Sequence, residues 1–227
     1  MRIALVHPPP RSEFDRRWAR FPALGIAYVA SSLRAAGHEI RLLDGKLDYL
    51  TVDEIVDSVR DEPPDLVGIT CMTVEYPRAV EIARRIKLDH KDIPIVVGGA
   101  HVNAVGKQAL LEGEAFDYAC IGEGEYLACE LAEALVRGDD PAELPGLVSR
   151  RGGEIVTAPP RPPPADYDAL PFPAWDLFRP VKTLPLLTHR GCPFQCVFCG
   201  HNSGFKPRYR SPENVLDEVD EMVARYA

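Results

Sequence analysis

Apolar positions along the first 137 residues follow two patterns: short runs that are apolar throughout, and longer stretches where they recur at helical spacing. "RIALVHPP" belongs to the first kind and predicts a strand. "LGIAYVASSLRAAG" belongs to the second and predicts a helix, closed by Gly37 just past its C-terminus. "HEIRLLDG" predicts a second strand. In "TVDEIVDSVRDEPP", Thr51 is followed three residues on by Glu54, the pairing of a capping box. Val52, Ile55, Val56 and Val59 share one face of that helix, and Pro63 stops it. The alternation continues through "DLVGITCM", "EYPRAVEIARRIKLDHK", "IPIVVGG", the short helix "VGKQALLEGE", "DYACIGEG" and "EYLACELAEALVRG". Strands without polar alternation belong in a sheet covered on both faces. The expected fold class is therefore α/β, a five-stranded doubly wound parallel sheet.

After Gly138 the texture changes. "LPGLVSRRGGEIV" predicts a hairpin turning at Gly152-Gly153. "TAPPRPPPADYDALPFP" carries seven prolines between Pro159 and Pro173, too many for a helix or a central strand, and predicts a stiff, extended linker. "TLPLLTHRGC" then predicts a strand, and "SPENVLDEVDEMVARYA" a last helix with Ser211 as its cap and Pro212 at its first position. The expected division is 1–138 for the sheet domain, 139–181 for hairpin and linker, and 182–227 for the start of another domain.

With 46% hydrophobic and 26% charged residues the chain falls in the soluble globular class. A net charge of −8 with no basic block argues against nucleic-acid binding. No apolar run approaches the roughly 18 residues of a membrane span. "MRIALVHPPP" reads as a first strand rather than a signal peptide. Six cysteines without a secretion signal predict reduced thiols or metal ligands in a cytoplasm. Cys71, Cys120 and Cys129 are scattered singly along apolar segments, as buried small hydrophobes would be.

The other three cysteines stand together in "RGCPFQCVFC", residues 190–199, as Cys192, Cys196 and Cys199. Thiolates bind soft metals, and three on one short loop can face a common centre. A zinc site would need a fourth ligand, which His201 could supply. Four zinc ligands within ten residues would be cramped, however. An iron–sulfur cubane held by three cysteines leaves one iron open to a ligand from outside the protein, and is the favoured reading.

The spacing C-x₃-C-x₂-C, with an aromatic before the last cysteine, resembles the signature of the radical S-adenosylmethionine enzymes. There it sits on the loop after the first strand of a (β/α) barrel, as it does here after "TLPLLTHRG". The resemblance covers about residues 184–227 and implies that they form the first βα unit of such a barrel. It implies that Cys192, Cys196 and Cys199 ligate a [4Fe–4S] cluster, that S-adenosylmethionine takes the fourth iron, and that Phe198 lies against the adenine. An electron donor such as flavodoxin or ferredoxin would reduce the cluster, whose electron cleaves the sulfonium bond to give a 5′-deoxyadenosyl radical.

Ligands of an open α/β sheet bind at the carboxyl ends of its strands. The unusual residues gather there, in "HPPP", "LLDG", "ITCMT", "VVGGAH" and "IGEGE". Gly98, Gly99, Gly122 and Gly124 would let the backbone approach a ligand closely. No G-x-G-x-x-G occurs, which disfavours a dinucleotide. "FPALGIAYVASSLRAAGHEIRLLD", "VVGGAHVNA", "DYACIGEGE" and "DALPFPAWDLF" resemble the Rossmann-like cobalamin-binding domain that precedes the barrel in a large radical S-adenosylmethionine subfamily. That likeness implies cobalamin over the strand ends with its nucleotide tail beside the sheet. Thr70, Met72, Thr73, Gly98, Gly99, His101, Gly122, Glu123 and Gly124 would line the site. The D-x-H-x-x-G that supplies a lower axial histidine is absent, and "HPPPRS" stands in its place, so cobalamin is expected base-off. His7 and His101 are expected to be turn or supporting residues rather than metal ligands.

Together the resemblances imply a cobalamin-dependent enzyme of the radical S-adenosylmethionine class, a methyltransferase acting at unactivated carbon of a small molecule. Cyclase or rearrangement chemistry, or a non-catalytic corrinoid-binding module, are the alternatives. A full barrel needs at least about 200 residues, and residues 182–227 supply only its start, so the chain alone is expected to be an inactive N-terminal portion.

Overall fold

The computed structural model describes residues 1–10, 21–200 and 203–226. The sheet strands are β1 (Arg2–His7), β2 (Glu39–Asp44), β3 (Leu66–Thr70), β4 (Ile95–Gly98), β5 (Tyr118–Cys120), β6 (Leu147–Arg151) and β7 (Glu154–Thr157). Between them run α1 (Leu24–Ala35), α2 (Val52–Asp61), α3 (Tyr76–Asp89), α4 (Ala100–Val105), α5 (Gln108–Glu112) and α6 (Gly124–Arg137). The strand order is β2-β1-β3-β4-β5-β6-β7. The first five strands are parallel, with Ala4 lying between Arg41 on one side and Val67 on the other. The connections reverse direction between β1 and β3, where ligands of such sheets bind.

Both faces of the sheet are apolar, as the unbroken runs predict. Ala4, Val6, Val67, Ile69, Ile95 and Val97 pack against α2, α3 and the short helices. Ile3, Leu5 and Leu66 face Ile26, Ala30 and Leu33 of α1 and Ala132 of α6. Local signals set the helix ends. Thr51 and Glu54 form the predicted capping box. Gly37 (φ +85°) closes α1, its amide bonding Arg34 O while the amide of His38 bonds Leu33 O.

Three elements differ from expectation. The hairpin at Gly152-Gly153 is not separate from the sheet: β6 pairs antiparallel with β5, Ala119 opposite Val148, and carries the sheet to seven strands. The three-residue β5 would otherwise be an open edge, which β6 covers. The short helix predicted over 105–114 is α5, and an unpredicted one, α4, precedes it, with Gly106 at φ +58° separating the two. The strand expected over "TLPLLTHRGC" is regular only at His189–Arg190 (β8), which pairs antiparallel with Arg208–Tyr209 (β9). A strand exists only beside a hydrogen-bonded neighbour, and no described strand lies beside 183–187.

The proline-rich segment is anchored as well as extended. Trp175 and Phe178 are buried against the α1 side of the core, and the amide of Ala174 donates to Ala27 O at 3.2 Å. The final helix, α7 (Pro212–Tyr226), begins as predicted, with Ser211 Oγ accepting the amide of Asn214 at 3.1 Å. Among the described residues no helix is long and apolar enough to cross a membrane.

Candidate cofactor site

The carboxyl ends of β3, β4 and β5 open into a cavity of about 460 Å³ that runs between the sheet and helices α1 and α6. Leu5, Leu66 and Val96 form its floor, and Val29, Leu127 and Ala128 its walls. The slot exists partly because position 68 carries no side chain. A Cβ on Gly68 would stand 2.9 Å from Leu5 Cδ2. At the mouth, Gly99 has φ +98°, and a Cβ there would lie 2.8 Å from both Cys71 O and Thr70 Oγ1. Only glycine fits both the conformation and the space.

Of the residues expected around the ligand, Thr70, Gly98, Gly99, Gly122, Glu123 and Gly124 line this cavity. Met72 and Thr73 lie outside it, on the loop from β3 to α3, with Met72 exposed to 55%. His101 supports that loop rather than facing the cavity: its Nδ1 lies 3.3 Å from Thr73 Oγ1, and its ring packs on Tyr76 at 4.1 Å. Burial lowers its pKa. The sequence reading passed over Gly68, Asn103, Glu125 and Arg190, all of which line the cavity. Asn103 fixes the turn after β5, its Oδ1 accepting the amide of Gly122 at 2.7 Å. No local signal marked it, since Asn103 and Gly122 stand nineteen residues apart and meet only in the folded chain.

His7, at the end of β1, is enclosed by carboxylates. Its Nδ1 lies 3.0 Å from Asp44 Oδ1 and its Nε2 3.6 Å from Glu75 Oε1, and all three residues are buried. Lys46 Nζ reaches Glu75 at 3.1 Å, and Glu75 Oε2 accepts the amide of Met72 at 2.9 Å. Burial alone would lower the pKa of His7, but the hydrogen bonds and charges of Asp44 and Glu75 outweigh it and raise the value to about 9. Burial would likewise raise Glu75, yet His7, Met72 and Lys46 bring it down to about 2. Both ring nitrogens of His7 face carboxylates, the setting of a supporting residue. A group with a raised folded pKa stabilises fully below its unfolded value and loses that contribution as pH climbs. The urea midpoint should therefore fall between about pH 6.5 and 9, and His7→Gln should flatten that slope. An equal slope in the variant would refute the assignment.

Cys192, Cys196 and Cys199 are free and exposed on the loop between β8 and β9. The amide of Cys192 bonds Gly204 O at 3.1 Å and that of Cys199 bonds Cys196 O at 3.0 Å. Val197 and Phe198 are almost fully exposed. Among the described residues no three side chains gather into a ligating group. Nothing but a metal would draw three thiolates together, so the donor set is what counts. Three accessible thiols on one short, apolar loop fit an iron–sulfur cluster. His201, the candidate fourth zinc ligand, lies outside the described residues. The remaining cysteines are different: burial pushes Cys71 and Cys120 up to about 12 and Cys129 to about 11, which leaves them inert thiols.

An apolar slot beside the sheet, with a glycine-lined mouth at the strand ends, defines a cobalamin-type cofactor domain. The B12 binding domain family matches residues 19–132, half of the chain, and the protein belongs to that family. An uncharacterized methyltransferase of Pyrococcus horikoshii is 34% identical over 236 residues, covering 100% of this chain and 51% of that one. The anaerobic magnesium-protoporphyrin IX monomethyl ester cyclase of Rubrivivax gelatinosus is 28% identical over 241 residues, covering 100% and 43% respectively. The solved structure of the cobalamin-dependent S-adenosylmethionine radical enzyme OxsB, with aqua-cobalamin and S-adenosylmethionine bound, shares the fold at a TM-score of 0.81 and 22% identity, covering 98% of this chain and 31% of that one. The chain thus spans about half the length of the curated relatives it matches.

Proposed function

We propose that this chain is the cobalamin-binding portion and barrel start of a radical S-adenosylmethionine methyltransferase acting at unactivated carbon of a small molecule. The observation that carries this reading is the apolar slot at the strand ends with the feet of a three-cysteine loop at its mouth. Residues 1–138 form the cofactor domain, 139–181 the hairpin and linker, and 182–227 the beginning of the radical domain. Thr70, Gly98, Gly99, Gly122, Glu123 and Gly124 hold the corrinoid at the mouth, Met72, Thr73 and His101 shape the adjoining loop, and the slot takes the nucleotide tail. Cys192, Cys196 and Cys199 hold the cluster, with Phe198 against the adenine of S-adenosylmethionine. When bound, the corrinoid supplies a methyl carrier and the cluster an electron for S-adenosylmethionine. A donor of the flavodoxin or ferredoxin type would supply that electron. Free, exposed thiols suit a reducing compartment such as the cytoplasm. Cyclase chemistry is the second reading, suggested by the likeness of the whole of this chain to part of the Rubrivivax enzyme.

The test is an optical spectrum after anaerobic iron–sulfur reconstitution with hydroxocobalamin, followed by desalting. Corrinoid bands that stay with the protein support the reading. Bands that wash out while iron–sulfur absorbance remains would remove its cobalamin half.

A further inference from the structure

The loop that carries the three cysteines stands on two arginines. Arg190 precedes it, Arg208 follows it, and the two pair across the β8–β9 ladder. Both reach the start of α6, at its N-cap Glu123 and first-turn residue Glu125. Arg190 Nη2 lies 2.5 Å from Glu125 Oε1 and its Nη1 3.3 Å from Glu123 Oε2. Arg208 Nη2 lies 2.7 Å from Glu123 Oε1. The Tyr167 hydroxyl, from the proline-rich segment, donates to Glu123 Oε2 at 2.6 Å. The guanidinium of Arg190 rests on the rings of Tyr28 and Tyr167, at 5.5 and 5.4 Å from their centroids.

These are not surface pairs. Glu125 is 2% exposed and is one of the residues lining the cavity, and among the described residues its enclosed Oε2 has no hydrogen-bond partner. A buried carboxylate is held by its charge partner, here Arg190, so a ligand packed against Glu125 bears on Arg190 as well. Glu123 and Glu125 therefore serve two places at once. They form part of the cavity mouth, and they hold the feet of the cysteine loop.

We propose that Glu123 and Glu125 are positioning residues that couple the two cofactor sites, so that filling the cavity steadies the cysteine loop and loading the loop tightens the cavity. A corrinoid packed in the cavity would bear on Glu123 and Glu125 and restrain both carboxylates. Arg190 is then held in one place, and the chain entering Cys192 with it. Linkage requires the effect to be equal in both directions. The inference rests on the proposed function, from which the test separates it.

The test uses the 227-residue chain and reads a ratio, the Kd for hydroxocobalamin without the cluster over that with it. In the wild type the ratio should be about tenfold, within the usual span of coupling between sites. The chelator concentration that removes half of the iron at equilibrium should rise by a similar factor when hydroxocobalamin is present. In Glu125→Gln and in Arg190→Met the ratio should fall to about one, whatever the absolute affinities, and Arg190→Lys should restore part of it. Should Arg190→Met fail to fold, the isosteric Glu125→Gln carries the test. Glu218→Gln breaks the neighbouring buried pair with Arg210. It should lower thermal stability and leave the ratio at the wild-type value, which a merely structural role for the network would not allow. An undiminished ratio in Glu125→Gln would overturn the coupling. So would a wild-type ratio of one with corrinoid firmly bound, the functional reading then standing. A wild type that retains no corrinoid would overturn both.

Discussion

Replacing Cys196 with alanine should reduce iron and sulfide after anaerobic reconstitution to background, while Cys71→Ala, Cys120→Ala and Cys129→Ala retain both. The contrast follows from where the six thiols sit. Cys192, Cys196 and Cys199 are exposed on one loop. Cys71 lies in the core, and Cys120 and Cys129 are pushed by burial far above the range in which a thiolate forms at neutral pH. A cubane that depends on three protein ligands has no replacement for the middle one, because no other side chain on the described loop offers a thiolate. The loss should be close to complete rather than graded. Zinc that binds the wild type more tightly than the cluster would point to the other chemistry. Full iron in Cys196→Ala would remove the loop from the mechanism altogether.

The second large effect concerns the slot. Ala128 lies on α6 with its side chain in the cavity wall. Ala128→Trp would place a ring in the space reserved for the nucleotide tail. Hydroxocobalamin binding should weaken by at least about a hundredfold, or roughly 2.7 kcal/mol. Stability should not fall with it. Overpacking destabilises a filled core, but here the new side chain enters an existing apolar space and buries surface there. Cluster loading in the absence of corrinoid should stay at the wild-type level. Equilibrium binding and a thermal melt on the same sample separate these outcomes. A variant that binds hydroxocobalamin normally would place the corrinoid somewhere other than this slot. A variant that binds nothing and melts early would show that the wall had collapsed.

Much of this architecture was written locally. The apolar strands, the capping box at Thr51 and Glu54, and the glycine closing α1 each depend on residues close in sequence, and each appears where predicted. The hairpin was also legible, but not its destination. Nothing in "LPGLVSRRGGEIV" says that Val148 will lie opposite Ala119, because an edge strand accepts any partner whose register and burial suit it. The last predicted strand shrank to two residues for the same reason in reverse. Its residues favour extension, but extension without a neighbour leaves backbone groups to water.

The chemistry divided in a similar way. The cysteine spacing and the glycines after β4 and β5 were visible in the chain, since a metal loop and a tight turn are both short-range features. Gly68 looked like an ordinary strand residue, and only the approach of Leu5 shows that its missing side chain opens the slot. Arg190 and Glu125 lie 65 positions apart. Their pairing came from folding the linker back over α1, which brought Tyr167 beside Glu123 and the cysteine loop to the cavity mouth. Periodicity and spacing report what each segment prefers alone. Cavities and buried charge pairs belong to surfaces that meet only once the segments are packed.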